Sequence, residues 1–236
     1  RAMIERINAL LPGIELDYDR DVLPLSESKE GGGVTERHLM FALAKAMVNK
    51  AGRGQSMVDY LASIGLNLSE KQKKQMLDLA YPFYDYDPLG ILKSAFVPKI
   101  YIDATDECPN VKELVALCSR IDALLCYAYL GDVGDSVTGD KKAQKFEDDY
   151  LDDVIACLRE TGVRAVTYMP TRNTEAQLTR LRGLCDANGL FQVSGEDINS
   201  PRQSFVIRAM ENPMFANLID ATWQLLEHEE KGKPIL

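Results

Sequence analysis

The chain has 236 residues, of which 46% are hydrophobic, and carries a formal net charge of −9. This length fits one large α/β domain or a domain with an insertion, and the hydrophobic content can fill a sizeable core. No run of about 18 apolar residues occurs, so we expect no membrane span, and the acidic balance argues against general binding to nucleic-acid backbones, which needs a basic surface.

The five cysteines form no CxxC pair, and several lie within apolar runs. Unpaired cysteine behaves as a small buried hydrophobe. This usage predicts a reduced, cytoplasmic protein, and the first residues lack the apolar core of a signal peptide.

The first part of the chain is predicted to be mainly helical. Residues Leu10–Leu16 form a turn that leads into a short strand, and an acidic, glycine-rich loop covers 17–33. Helical patterns follow over 35–50, 57–64 and 69–79, the last with a capping-box-like start at Ser69. We therefore interpret residues 34–95 as a helical insertion between strands of one α/β domain.

In the second part, strand and helix patterns alternate. Strands are predicted over 97–103, 123–129, 164–169 and 190–193, and helices over 109–121, 146–160, 173–187, 201–211 and 213–227. Asn199 or Ser200 would cap the helix that Pro201 opens. Such alternation requires a parallel sheet, either open or barrel-shaped.

The most informative segment is the one that follows the last predicted strand. After Ser194-Gly195 the chain presents Glu196, Asp197 and Asn199. The carboxyl ends of strands are where α/β enzymes place metal ligands and general bases, and an acidic loop that caps a helix is the simpler alternative.

Polar residues also follow the other predicted strands. Tyr129, Asp132 and Asp135 follow one strand, and Arg172 follows the next. Carboxylates that converge at one rim suit a divalent metal ion, whereas Arg172 and Arg202 suit a phosphate or carboxylate on a substrate. Motifs for dinucleotide binding, nucleotide phosphates and serine hydrolysis are missing from the sequence, and only two histidines are present.

At these residues the chain resembles the polymerase-and-histidinol-phosphatase (PHP) family of metal-dependent phosphoesterases. Leu11-Pro-Gly-Ile-Glu15 is similar to the family's proline-glycine-(isoleucine/valine)-glutamate motif. Ser194-Gly-Glu-Asp-Ile-Asn199 is similar to its Gly-Ser-Asp-x-His motif, with Asn199 in place of the histidine, and Tyr129 replaces a histidine in Tyr127–Gly131. The family's opening His-x-His strand has no counterpart in this sequence.

The resemblance implies a fold and an activity. The fold would be a distorted TIM-like (β/α)7 barrel, incomplete in this chain, built from residues 1–33 and 96–236. The activity would be metal-dependent hydrolysis of a phosphate ester on a small phosphorylated substrate, with Mn, Fe or Zn as the divalent metal. The implied metal ligands are Glu15, Asp197 and Asn199, and the implied catalytic residues are Glu196, Arg172 and Arg202.

The sequence is also compatible with two functions other than hydrolysis of a phosphate ester. The scarcity of histidine is compatible with a degenerate, non-catalytic member that binds a small anionic ligand or a protein partner. A sugar-isomerase-like barrel is the other alternative, because such barrels also use carboxylate-rich metal sites at strand ends. The clusters from Tyr129 to Asp135 and from Glu196 to Asn199 would suit a polyol substrate.

A final expectation concerns the start of the helix at 35–50. Three glycines, Gly31–Gly33, precede Thr35 and allow a close backbone approach or a hinge. Helix N-termini attract anions, and Arg37 and His38 would add positive charge there, so Glu36 and His38 are predicted to contribute to metal or phosphate binding. A flexible linker followed by an ordinary helix cap is the alternative.

Overall fold

The computed structural model describes residues 1–134 and 144–235 of the chain. The chain divides into two compact units, residues 1–104 and 105–236. Asp135, one of the predicted substrate-binding residues, lies outside the described residues.

The first unit is helical. Its helices are α1 (Ala2–Leu10), α2 (Glu36–Ala51), α3 (Gln55–Ser63), α4 (Glu70–Leu77) and α5 (Tyr86–Ile100). The core lies mainly between α2 and α5. Met40, Leu43 and Met47 of α2 and Leu92 and Ile100 of α5 are completely buried in it.

Local capping explains where these helices begin and end. At α2, the side chains of Thr35 and His38 form a capping box, in which the Thr35 N–H donates to His38 Nδ1 at 3.0 Å. Gly52 follows the helix with φ of 82°. Ser69 and Gln72 form the predicted capping box at the start of α4.

The second unit combines helices with a small parallel sheet. Its elements are α6 (Val111–Arg120), β1 (Cys126–Ala128), α7 (Leu151–Thr161), β2 (Ala165–Tyr168), α8 (Glu175–Ala187), β3 (Phe191–Ser194) and α9 (Ala216–Lys231). Within residues 105–134 and 144–235, three strands form one sheet in the order β1-β2-β3, and both neighbouring pairs are parallel.

The sheet has one well-covered face. Val166 and Tyr168 of the central strand are buried together with Leu158 of α7, Leu181 of α8 and Leu218 of α9. Since the strands are parallel and adjacent, the segments that follow them emerge at one edge of the sheet.

The predicted barrel is wrong. The described residues form an open sheet of three strands, β1 to β3, in a chain that is mostly helical. A barrel requires a closed ring of strands. The strands predicted before residue 105 do not form, so those from the second unit have no further partners with which to close.

The strand predicted over 97–103 is helical through Ile100, the last residue of α5. Phe96 and Ile100, one helical turn apart, are both buried in the helical core. The valine and isoleucine residues of this segment favour a strand, but burial of this face in the helical core outweighs that preference.

Two further predicted elements are absent from the described residues. The short strand within Leu10–Leu16 does not form because the Asn8 amide pairs with the backbone of Leu16, donating to its carbonyl at 2.8 Å and accepting from its N–H at 2.9 Å. The helix predicted to open at Pro201 is a series of turns, and only Arg208–Glu211 forms a 3₁₀ helix. Phe205 there is 85% exposed, so a helix would find no core to pack on.

Candidate functional site

Two adjacent carboxylates hold the segment that follows β1. Glu147 is only 3% exposed. Its carboxylate accepts from the backbone N–H of Leu130 at 2.8 Å and of Gly131 at 3.2 Å, and from the Tyr127 hydroxyl at 3.2 Å. Burial, followed by the charge of Glu147, raises the pKa of Tyr127 to about 12, so Tyr127 remains a hydroxyl donor.

The neighbouring Asp148 takes the other donors of this segment. It accepts from the Tyr129 hydroxyl at 2.5 Å, the Asp132 N–H at 3.0 Å and the Gln177 side chain at 2.6 Å. Burial on its own would raise the pKa of Asp148, but these hydrogen bonds outweigh burial and lower it. The Tyr129 hydroxyl is thus committed to Asp148, and burial and this bond both raise the pKa of Tyr129.

Asp132 is also paired. Its carboxylate forms an ion pair with Lys145 at 2.6 Å and accepts from the Phe146 N–H at 2.7 Å. The hydrogen bond with Lys145, followed by that from Phe146, lowers the pKa of Asp132. Asp132 therefore links the segment that follows β1 to the segment that precedes α7.

A glycine allows the segments after β1 and β2 to approach closely. Gly131 has φ of 65°, and a Cβ at this position would lie 2.4 Å from Asn173 Nδ2 and 2.8 Å from the Tyr129 hydroxyl. Asn173 Nδ2 donates to the Leu130 carbonyl at 2.7 Å. Only glycine satisfies both the backbone conformation and the space here.

Arg172, in the segment that follows β2, also contacts Leu130. Its Nε donates to the Leu130 carbonyl at 2.9 Å, and its guanidinium lies 5.3 Å from the centre of the Phe146 ring. Within the described residues, no carboxylate pairs with Arg172 and nothing accepts from its two terminal nitrogens. The bond from Nε to Leu130 thus orients the guanidinium, while its two terminal nitrogens remain available as donors among the described residues.

Glu196 links the segments after β2 and β3. Its carboxylate accepts from the Thr171 N–H at 2.5 Å and from the Thr171 hydroxyl at 2.6 Å. Gly195 donates its N–H to the Tyr168 carbonyl at 2.7 Å, and a Cβ there would lie 2.7 Å from Thr167 Oγ1. The structure therefore brings Glu196 and Arg172 to the same sheet edge.

The remaining residues predicted in this segment are exposed. Asn199 Nδ2 donates to Asp197 Oδ2 at 2.6 Å, and the Asn199 N–H donates to Gln203 Oε1 at 2.6 Å. Arg202 is exposed in the turn that follows, where its N–H donates to Ser200 Oγ at 3.2 Å.

The other predicted residues belong to the first unit. Glu15 lines an open cleft of about 520 Å³, and no described residue forms a hydrogen bond or ion pair with its carboxylate. Glu36 forms an ion pair with Lys93 at 2.6 Å, and this bond lowers the pKa of Glu36. His38 completes the cap of α2.

Metal ligation has limited support from the side chains that the structure describes. Among them, no group of three or more His, Cys, Asp or Glu residues is placed to hold a metal ion. Where the PHP family would supply histidines, Tyr129 is bonded to Asp148 and Asn199 to Asp197. These residues of the second unit do not fit a multinuclear metal centre, and we assign no chemical step to a metal at this sheet edge.

Four residues that organise this edge are not indicated by any sequence motif: Glu147, Asp148, Thr171 and Gln177. Their partners across the edge lie 16 to 45 residues away along the chain. The acids at 147–149 precede α7, where acids are expected for helix-dipole reasons alone. The length of the loop before them was the available signal.

No protein-family model, no curated protein and no solved structure matches this chain. The resemblance to the PHP family therefore remains a hypothesis. In the part of the chain that the structure describes, no helix has the length and apolar character needed to cross a membrane.

Proposed function

We propose that the sheet edge of the second unit binds a small phosphorylated ligand, with Arg172 as the main anion contact. The observation that carries this proposal is the oriented guanidinium of Arg172, whose terminal nitrogens have no partner among the described residues. A planar guanidinium fork matches two oxygens of a phosphate or carboxylate.

The surrounding contacts support a preorganised site. Leu130 accepts from both Arg172 and Asn173, and the Leu130 segment is itself fixed by Glu147 and Asp148. A donor that is already oriented loses less conformational freedom when the ligand binds.

Arg172 forms no ion pair within the described residues, although carboxylates lie along the same edge. Asp132 is paired with Lys145, whereas Glu147, Asp148 and Glu196 accept from neutral donors and keep their charge. The acidic chain as a whole repels anions, so specific binding depends on this local cation.

Calorimetric titration with inorganic phosphate and with a sugar phosphate tests the proposal. We expect Arg172→Gln to abolish measurable binding and Arg172→Lys to weaken it, because lysine keeps the charge but loses the fork. Arg164→Gln is the matched control, since Arg164 is exposed and lies at the amino end of β2. Equal binding by the wild-type protein and Arg172→Gln, with both folded by circular dichroism, would contradict the proposal.

Hydrolysis of a phosphate ester by a divergent relative of the PHP family is our second candidate. The observation in its favour is Glu15, the glutamate of the resembling motif, whose carboxylate has no described partner and lines an open cleft. Asp17 lines the same cleft, and carboxylates suit hard divalent cations.

Hydrolysis of p-nitrophenyl phosphate with added Mn²⁺, Fe²⁺ or Zn²⁺ tests this candidate. We expect Glu15→Gln to remove metal-dependent turnover and Glu5→Gln, an exposed acid on α1, to retain it. Turnover that is absent with every metal would refute hydrolysis, and turnover that is unchanged in Glu15→Gln would refute the role of Glu15. Neither result bears on ligand binding at Arg172.

We also propose that the protein is cytoplasmic and does not bind nucleic acid in general. All five cysteines are free, which suits a reducing compartment. The net charge of −9 opposes binding to a polyanion.

A further inference from the structure

Helix α9 presents a second apolar stripe in addition to the one that it buries. Leu218 and Ala221 face the core of the second unit. Ile219, Trp223 and Leu226 recur at four- and three-residue spacing and are 46%, 64% and 40% exposed. Residues at this spacing lie on one face of a helix, so the stripe is continuous along about two turns.

The stripe is bordered by carboxylates. Three acids of α9 are exposed: Asp220, Glu229 and Glu230. Within the described residues, their carboxylates form no ion pair and accept no hydrogen bond. Glu227 is different, because it pairs with Lys231 and Lys233. An apolar stripe flanked by unpaired acids is complementary to an apolar stripe flanked by Lys or Arg.

We infer that this stripe of α9 docks a basic amphipathic segment of a protein partner. Apolar side chains of the partner would cover Trp223, and its cations would pair with Asp220, Glu229 and Glu230. A second copy of this chain fits less well, since it would bring the same acids against each other.

Trp223 makes the test specific, because it is the only tryptophan of the chain. The probe is an 18-residue Leu/Lys amphipathic helix peptide, and its control is a Leu/Glu peptide of the same pattern. We expect the Leu/Lys peptide to shift the tryptophan emission to shorter wavelength, with saturation and with weaker binding at high salt. The Leu/Glu peptide should produce no shift.

A charge-matched pair of variants completes the test. We expect the triple variant Asp220→Asn, Glu229→Gln, Glu230→Gln to raise the Kd of the Leu/Lys peptide about tenfold, because each exposed ion pair contributes a factor of roughly 1.5 to 5. The control variant Glu107→Gln, Asp153→Asn, Glu160→Gln removes the same charge from exposed positions outside α9 and should leave the Kd unchanged.

Three results would overturn the inference. One is equal binding of both peptides, and another is equal weakening by both triple variants. The third is a tryptophan shift that depends on protein concentration without peptide, which would assign the stripe to a second copy of the chain.

Discussion

The two units of this chain bury different kinds of side chains. In the first unit the fully buried residues are nearly all aliphatic or methionine, and the buried hydroxyl of Tyr84 satisfies the Gly54 N–H and the Met76 carbonyl. In the second unit Glu147 and Gln192 are buried beside the sheet.

The two kinds of buried side chain contribute differently to the stability of the fold and to the orientation of a binding site. An apolar core holds helices together and fixes the direction of few polar groups, of which the Tyr84 hydroxyl is one. A satisfied polar network orients specific groups, at the cost of removing charge and amides from water. The second unit therefore contains the better candidate site, and the first unit contains the larger uninterrupted apolar core.

The largest effect is expected from a cavity in the first unit. Leu43 is completely buried on α2, so Leu43→Ala should lower the free energy of unfolding by about 2–5 kcal/mol. Asn49→Ala on the exposed face of α2 should change it by less than about 0.5 kcal/mol. Urea denaturation measures the free energy of unfolding, and hydrogen exchange shows which helices lose amide protection. Unaltered protection of α2 in Leu43→Ala would contradict this assignment of the core.

Loss of the buried carboxylate is the corresponding change in the second unit. Glu147→Gln replaces one acceptor oxygen with a donor that faces the N–H group of either Leu130 or Gly131. We expect a loss of about 2–3 kcal/mol in urea denaturation, together with weaker phosphate binding at Arg172. Glu160→Gln, at an exposed position of α7, is the control and should change neither quantity. Phosphate affinity that survives in Glu147→Gln would show that this network does not orient the site.

Substitution of two glycines allows the energetic cost of backbone strain to be distinguished from the cost of steric crowding. Gly131 and Gly189 have φ of 65° and 62°, but only Gly131 has atoms in the way of a Cβ, whereas Gly189 has none within 4 Å. Gly189→Ala should cost about 1–2 kcal/mol from the left-handed conformation alone, and Gly131→Ala about 1 kcal/mol more from displacement of Asn173. Equal costs in thermal unfolding would mean that Asn173 moves aside freely.

The sequence predicted the local structure of the second unit well. Apolar runs identified β1, β2 and β3, side-chain periodicity identified α7, and the segments between the predicted strands identified α6 and α8. These signals are local, because the period of the pattern reflects which face of an element is buried. The helix predicted at Pro201 was wrong, because a proline and a capping residue mark a possible start but supply no packing.

The candidate site was predictable only in part. Arg172 and Glu196 were identified because strand ends of a parallel sheet converge. Their partners were not, since nothing in the sequence near Leu130 indicates that its N–H binds Glu147 and its carbonyl binds Arg172. Whether Tyr129 faces a ligand or a carboxylate is likewise decided by tertiary contacts.

The smallest effect concerns pH and the end of α9. His228 Nδ1 lies 2.7 Å from the Lys233 carbonyl oxygen, and Nε2 lies 3.1 Å from that of Asp122. A neutral imidazole has one N–H, so only the imidazolium can donate to both oxygens. The carbonyl of Asp122, followed by that of Lys233, raises the pKa of His228 above its ordinary value of 6.5.

The sign of the pH effect follows from this shift. A group whose pKa is higher in the folded state stabilises the fold below its unfolded pKa, and this stabilisation is lost as the pH rises through the folded pKa. We therefore expect the Tm difference between the wild-type protein and His228→Gln to be larger at about pH 5.5 than at about pH 8.5. Carboxylates that titrate in both proteins cancel in this difference. A Tm difference that stays constant across this range would show that His228 contributes through packing, because packing does not depend on its protonation.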